Sequence, residues 1–269
     1  MIYLQTKPSP PLAGFVRSFW YTRAPELPHQ QERVLPNGFA QMVLSLASNA
    51  LTECDDNGTM RPQPRAILAG PRSRYEIIHT RDLAELVGIV LMPGGLGPWL
   101  RLRADAFVNR SIALEDVWGL KDLCDRLREQ PSPQRILAKL DALLVENLKG
   151  RHIERKPLLR AALADLRSTT VRQTAQSLGV SERRLHQLFS EDAGLSPKLW
   201  SRVYRFQQAV RSLHAGRQLP WEQLALACGY YDQSHFSNDF RAFSGIDPTT
   251  YAAHRGLWRN HVAWDTPCA

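Results

Sequence analysis

The stretch VRQTAQSLGVSERRLHQLF, residues 171–189, decides the reading of this chain, because WEQLALACGYYDQSHFSNDF, residues 221–240, writes the same pattern again. Val171, Thr174, Ala175, Leu178 and Gly179 return as Trp221, Leu224, Ala225, Cys228 and Gly229. After the turn the offset grows by one residue, so Ser181, Leu185 and Phe189 correspond to Asp232, Phe236 and Phe240. In each copy apolar residues fall at helical spacing, a glycine interrupts them, and a capping residue opens a second helix. The pattern is a helix-turn-helix. Two copies on one chain fit two neighbouring stretches of a DNA major groove without requiring a dimer.

The surroundings extend this plan. Residues 158–167 read as a first helix, and Thr170 with Gln173 makes a capping box for the next. Val171, Ala175 and Leu178 form that helix's buried stripe, and Gly179 supplies a turn at positive φ. Ser181 caps the second helix, with Leu185, Leu188 and Phe189 facing inward. A long helix over 197–215 follows, roughly 28 Å at about 1.5 Å per residue. That is close to the helical turn of about 34 Å that separates successive major-groove faces. The second motif closes on Gly245-Ile246-Asp247-Pro248 and a short helix through Tyr251.

Upstream the character changes. In residues 1–119 short apolar runs at 41–46, 66–68, 75–78 and 86–92 alternate with turn signals such as Pro36-Asn37-Gly38, Gly70-Pro71 and Pro93-Gly94-Gly95. Strands at this spacing predict a sandwich or barrel. Residues 120–129 and 133–148 carry leucines at helical spacing around Pro131-Ser132-Pro133 and predict a helical hairpin that pairs subunits. The polar run 149–156 is the expected linker. The expected organisation is a β-rich sensor and dimerisation domain over 1–150, a DNA-binding domain over 151–258 and a tail over 259–269.

Charge follows the same division. The formal net charge is +8, yet residues 151–258 hold 15 Lys+Arg against 9 Asp+Glu, and the rest of the chain 19 against 17. The excess sits with the duplicated motif, where DNA phosphates need it. The N-terminus lacks a signal-peptide profile and no run of about 18 apolar residues occurs. A cytoplasmic protein with no membrane partner is expected, its four cysteines reduced.

The run LSPKLWSRVYRFQQAV, followed by LACGYYDQSHFSNDFRAFSGIDPTTY, resembles the DNA-binding region of the AraC/XylS-type bacterial transcription regulators over about 100 residues. FVRSFWY, RVLPNG, LAGPRSR, GIVLMPGG and ALEDVWG are similar to a sensor domain found in part of that family. The resemblance implies an α+β chain: an N-terminal cupin-like β barrel with a helical dimerisation element, then an all-α domain with two helix-turn-helix motifs. It also implies sequence-specific promoter binding as a homodimer, contact with RNA polymerase, and modulation by a small-molecule effector.

The groove-facing residues come from both arguments. With Leu185, Leu188 and Phe189 inward, Arg183, Arg184, His186 and Gln187 face out; with Phe236 and Phe240 inward, Gln233, Ser234, Ser237 and Asn238 do. The resemblance puts Arg183, His186, Gln187, Gln233, Ser234 and Asn238 in the groove and Arg184 on phosphate. It also shows a departure. Many relatives carry Arg where Gln187 and Asn238 stand, so readout is expected to shift from guanine toward adenine.

Catalytic chemistry finds no motif here. The eight histidines have no metal-ligand spacing, Gly94-Gly95-Leu96-Gly97 lacks the Lys-Ser/Thr of a phosphate loop, and no cysteine sits in an activating setting. No enzyme, cofactor or metal is expected. An alternative from another class is an enzyme fused to DNA-binding helices, which needs an activated Cys54 or Cys124. A second alternative is a regulator without ligand. The aromatics Phe15, Phe19, Trp20, Tyr21, Phe39, Tyr75, Trp99, Phe107 and Trp118 are either barrel core or the wall of an effector pocket. Arg33, Arg72 and Arg74 are its candidate polar anchors, the last two sharing one face of an expected strand.

Overall fold

The computed structural model describes residues 2–24, 26–47, 50–54, 59–97, 103–119, 122–149, 156–216, 219–256 and 258–264. Its strands are β1 (Ile2–Thr6), β2 (Val16–Arg23), β3 (Gln31–Val34), β4 (Gln41–Ser45), β5 (Leu51–Cys54) and β6 (Met60–Gln63). They continue with β7 (Ala66–Ala69), β8 (Glu76–His79), β9 (Leu86–Leu91), β10 (Ser111–Ala113) and β11 (His261–Trp264). The first helices are α1 (Leu114–Trp118), α2 (Leu123–Arg128), α3 (Pro133–Leu148), α4 (Pro157–Asp165) and α5 (Val171–Ser177). The remainder are α6 (Glu182–Ala193), α7 (Pro197–His214), α8 (Trp221–Ala227), α9 (Gln233–Ser244) and α10 (Pro248–His254).

Six strands form one antiparallel sheet in the order β1-β2-β9-β4-β7-β10. Because side chains alternate across a strand, its two faces differ. Phe19, Tyr21, Met42, Leu44, Val87, Ile89 and Leu91 join the leucines of α2 and α3 in one core. Ser18, Trp20, Thr22, Gln41, Val43 and Val90 point the other way, into a cavity of about 900 Å³. The opposite walls come from the three-stranded sheet β11-β3-β8, the hairpin β5-β6 and α7, through Val34, Ile78, Leu51, Trp200 and Tyr204.

Three expectations are corrected. No closed barrel forms among the described residues: the large ladder ends at β1 and β10, and the other strands make separate sheets. The hollow lies between stacked layers instead and opens to solvent, since α1–α3 cover one face of the large sheet and the smaller sheets lie over the other. The leucine stripe of α3 is not free for a second subunit: Ile136, Leu137, Leu140, Leu144 and Leu148 are buried against the sheet of the same chain. The segment after α10 is no loose tail, because β11 pairs with β3 over four residues, His261 to Val34 through Trp264 to Gln31.

A second core joins α4–α10 with Leu35 and Val262, so both halves share it. Buried Gln207 of α7 donates to the Pro36 carbonyl oxygen at 2.8 Å. The amide of Gly94 donates to the Asp192 carbonyl oxygen at 2.9 Å. The strongest tie is Arg33 on β3. It is 4% exposed, its Nη1 donates to the Ser244 carbonyl oxygen at 3.0 Å, and its guanidinium lies 3.3 Å from the Trp264 ring centroid and 4.5 Å from that of Tyr75. Gly245 lets it in: its φ is +71°, and a Cβ there would stand 2.5 Å from Nη1 of Arg33.

Beside it, buried Glu32 accepts from His29 at 2.9 Å and from His261 at 2.6 Å. Burial pushes its carboxyl up, but the hydrogen bonds and charges of His261 and His29 outweigh this and hold it below its ordinary 4.5. A depressed carboxylate contributes stability above its unfolded value and loses it in acid. Thermal unfolding should therefore show a midpoint that falls as pH drops below 4.5, an effect that Glu32→Gln removes. Arg33→Ala should lower stability by about 2–3 kcal/mol at neutral pH, through a lost charged hydrogen bond and a void between two rings. A midpoint unchanged in Arg33→Ala would show that the tie contributes nothing.

Candidate DNA interface

Each motif is assembled by its caps. Thr170 closes the capping box on α5, its Oγ1 accepting from the Gln173 amide at 3.3 Å while Gln173 Oε1 accepts from the Thr170 amide at 3.0 Å. Ser181 accepts from the Arg184 amide at 3.1 Å, and Asp232 accepts from the His235 amide at 2.7 Å. Both residues are thus N-caps, of α6 and α9. Gly179 and Gly229 turn the chain before them at φ +66° and +81°.

Behind these turns the inward residues are sequestered: Leu185, Phe189, Phe236 and Phe240 are fully buried. Arg183, Arg184, His186 and Gln187 are exposed on α6, and Gln233, Ser234 and Asn238 on α9; Ser237 is half-buried. Four donors on one helix and three amide or hydroxyl side chains on the other make surfaces suited to base edges and phosphates. Two neighbours already use part of the first surface. Gln187 Nε2 donates to Glu191 Oε1 at 2.9 Å, and Arg103 from the N-terminal half donates to the same oxygen at 3.2 Å. Asp105 is hydrogen-bonded to Ser190 of α6 and, at 2.7 Å, to Arg103; these bonds hold its carboxyl down at about 2.

One positioning pair escaped the sequence reading. Asp239 is buried on α9 and accepts from Arg202 of α7 through Nε at 3.1 Å and Nη2 at 2.7 Å. The signal was available: Phe236, Asp239, Phe240 and Phe243 occupy i, i+3, i+4 and i+7, which puts the carboxylate on the buried stripe, where it needs a partner. Tyr231, 86% exposed at the turn before α9, was missed as well.

The expected pocket anchors lie elsewhere. Arg33 holds Ser244, while Arg72 is paired with Glu53 at 2.9 Å and with Glu76, and Arg74 is exposed. Neither Arg72 nor Arg74 is on a strand, because β8 begins at Glu76. Of the aromatics, Trp20 and Phe39 line the cavity, whereas Phe15, Phe19, Tyr21, Phe107 and Trp118 are core; Trp99 lies outside the described residues. Among the described residues no group of three or more His, Cys, Asp or Glu could hold a metal ion. Cys124 and Cys228 are buried, and burial raises both thiols, that of Cys228 to about 11. No helix of the described residues is long and apolar enough to cross a membrane.

Comparison with known proteins agrees with this geometry. Residues 174–254 match a helix-turn-helix domain family, and residues 4–113 match a domain of unknown function (DUF6597). The probable transcriptional regulator LumQ of Photobacterium leiognathi is 28% identical over 118 residues, which span 44% of this chain and 42% of LumQ. The matched region is thus about two fifths of that curated relative's length. An AraC-type transcriptional regulator from Chromobacterium violaceum is 27% identical over 38% of this chain and 94% of its own, with a TM-score of 0.35. ToxT of Vibrio cholerae aligns over 94% of this chain and 98% of its own at 10% identity and a TM-score of 0.50. A helix-turn-helix domain is therefore the class that residues 174–254 define. Over that region the chain is similar to AraC-type transcription regulators.

Arg202→Ala strands the buried Asp239 carboxylate. It should destabilise the C-terminal half by about 2 kcal/mol, discounted because Arg202 is partly exposed. Thermal unfolding measures this, and footprinting should show protection lost from one half of the bound site before the other. Equal loss from both halves would mean that the pair does not serve α9 in particular.

Proposed function

We propose that this chain is a sequence-specific regulator that reads two adjacent major-groove segments at a promoter. Arg183, His186 and Gln187 serve one segment, Gln233, Ser234 and Asn238 the other, with Arg184 and Ser237 beside them and Tyr231 on the backbone. The observation that carries this reading is the pairing of two capped helices whose inner faces share one core while their polar faces stay open. Residues 1–150 are the sensing half, 151–258 the reading half, and 259–269 a tail whose residues His261–Trp264 rejoin the first as β11. A small effector favours one arrangement of the halves and so changes affinity for DNA. Homodimerisation and contact with RNA polymerase belong to the same proposal. Any pairing of subunits must use a surface other than the α3 leucines, which the sheet already covers.

The test is selection of bound sites from a random DNA pool by the full chain at fixed salt. Enrichment of a two-part motif about one helical turn apart is expected. Arg183→Ala should cost roughly 1–3 kcal/mol and relax one base position, leaving the rest of the motif intact. Uniform weakening on every sequence would assign Arg183 to phosphate. A pool with no enrichment, bound in a way that fades evenly with salt, would overturn the reading.

A further inference from the structure

Four arginines line the cavity between the large sheet and α7: Arg17 on β2, Arg167 just past α4, Arg211 on α7 and Arg259 before β11. They come from four separate segments of the chain, all four are solvent-exposed, and Arg211 Nη1 donates to Gln208 Oε1 at 2.8 Å. Among the described residues none of them is paired with a carboxylate. The three acids that line the cavity are engaged elsewhere: Glu53 and Glu76 hold Arg72, and Asp82 accepts from the Thr52 amide at 2.7 Å. Guanidinium stays charged at any working pH, so the cluster is uncompensated positive charge.

Local structure aims these groups. The β2–β9 register shifts between Val16 and Ser18, leaving Arg17 as the unpaired residue of a bulge. Bulges re-aim side chains, and the Arg17 guanidinium lies 4.6 Å from the Phe39 ring centroid. That of Arg167 lies 5.7 Å from Tyr204. The groups act on one another. Burial and then the charges of Arg211 and Arg167 lower the pKa of Arg17, and burial and then Arg211 and Arg17 lower that of Arg259. The remaining lining is mixed, polar side chains such as Gln41 and Thr22 standing among Trp20, Val43 and Ile67, and the Trp20 ring lies against Gly88, where a Cβ would come within 2.3 Å.

We propose that this cavity binds an organic phosphate, its multiply charged head held by Arg17, Arg167, Arg211 and Arg259 and its apolar body laid along Trp20. This rests on reading the N-terminal half as the effector-sensing part. A single carboxylate brings one charge and two oxygens, too few for four guanidiniums. A phosphate or diphosphate brings more of both and accepts bidentate donation from several arginines. Such a ligand would bridge sheet, α7 and the β11 segment, and so join the sensing and reading halves directly.

The experiment is calorimetric titration of the full chain with geranyl diphosphate, inorganic pyrophosphate and decanoate at one ionic strength. Geranyl diphosphate should bind once per chain and at least about tenfold tighter than the head alone or the single-charge chain. In Arg17→Ala/Arg211→Ala its affinity should fall roughly 10- to 100-fold, with the melting temperature of the free protein unchanged or raised. Arg17→Lys/Arg211→Lys, which keeps charge but loses the forked donors, should fall in between. Equal affinity for decanoate, no binding of any probe, or an unaffected double alanine variant overturns the proposal. If no probe binds and the double variant instead loses DNA affinity, the cluster is a backbone contact and the proposal fails. Arg183→Ala should leave titration by geranyl diphosphate intact, so failure of the DNA reading is seen separately.

Discussion

The burial of α7 is the constraint on which the rest depends. Trp200, Val203, Phe206, Ala209, Val210 and Leu213 are all sequestered, which no isolated surface helix achieves. Phe206 meets Phe240 and Phe243 at 5.1 and 5.2 Å between ring centroids, and so fixes α9 to the connecting helix. Trp200 packs edge-on against Phe189 of α6 at 6.4 Å. The two recognition helices are therefore held by one rod rather than by each other. Trp200, Val203, Tyr204, Gln207 and Arg211 of the same rod also wall the cavity. A change on that wall reaches both motifs through a few packed rings, a physical route for coupling that needs no long pathway.

The interface between the halves is made largely of polar ties at the rim and a few apolar residues within. Arg103 reaches Glu191 at 3.2 Å, and Arg160 donates to the Gly14 carbonyl oxygen at 2.9 Å. Exposed ties of this kind hold register at little net energy. The buried contacts of Arg33, Leu35 and Gln207 carry more, because an unsatisfied partner left behind would be desolvated. The docking ties that α6 makes crowd near its C-terminal end, away from its capped N-terminus, so its polar face remains largely open even with the halves joined.

Much of this was legible in the residues. Repetition fixed the two motifs; Ser181 and Asp232 revealed their equivalence as caps; and Pro133–Leu148 was bounded by its own proline and leucine spacing. Periodicity failed where an element's partner lies far away in sequence. The apolar stripe of α3 states that a face is buried but not whether by a sheet or a second subunit. β2, β3 and β11 carry Arg17, Arg33 and His261, residues whose settings depend on long-range pairing. The cationic lining is illegible for the same reason: nothing local connects residues 17, 167, 211 and 259. Arg33 and Arg72 were plausible anchors by type, yet Glu53, Glu76 and Ser244 had already engaged them.

The pairing of β11 with β3 also sets an order of events during synthesis. β3 is the central strand of its small sheet, with β8 on one side, and its other edge stays open until residues 261–264 have left the ribosome. By then α4–α10 have been made, so β3 waits for a strand more than 220 residues downstream. An open edge invites foreign strands, and long-range closure is slow. A nascent chain stalled beyond α10 would carry both recognition helices and an unfinished first half, and aggregation would begin at β3.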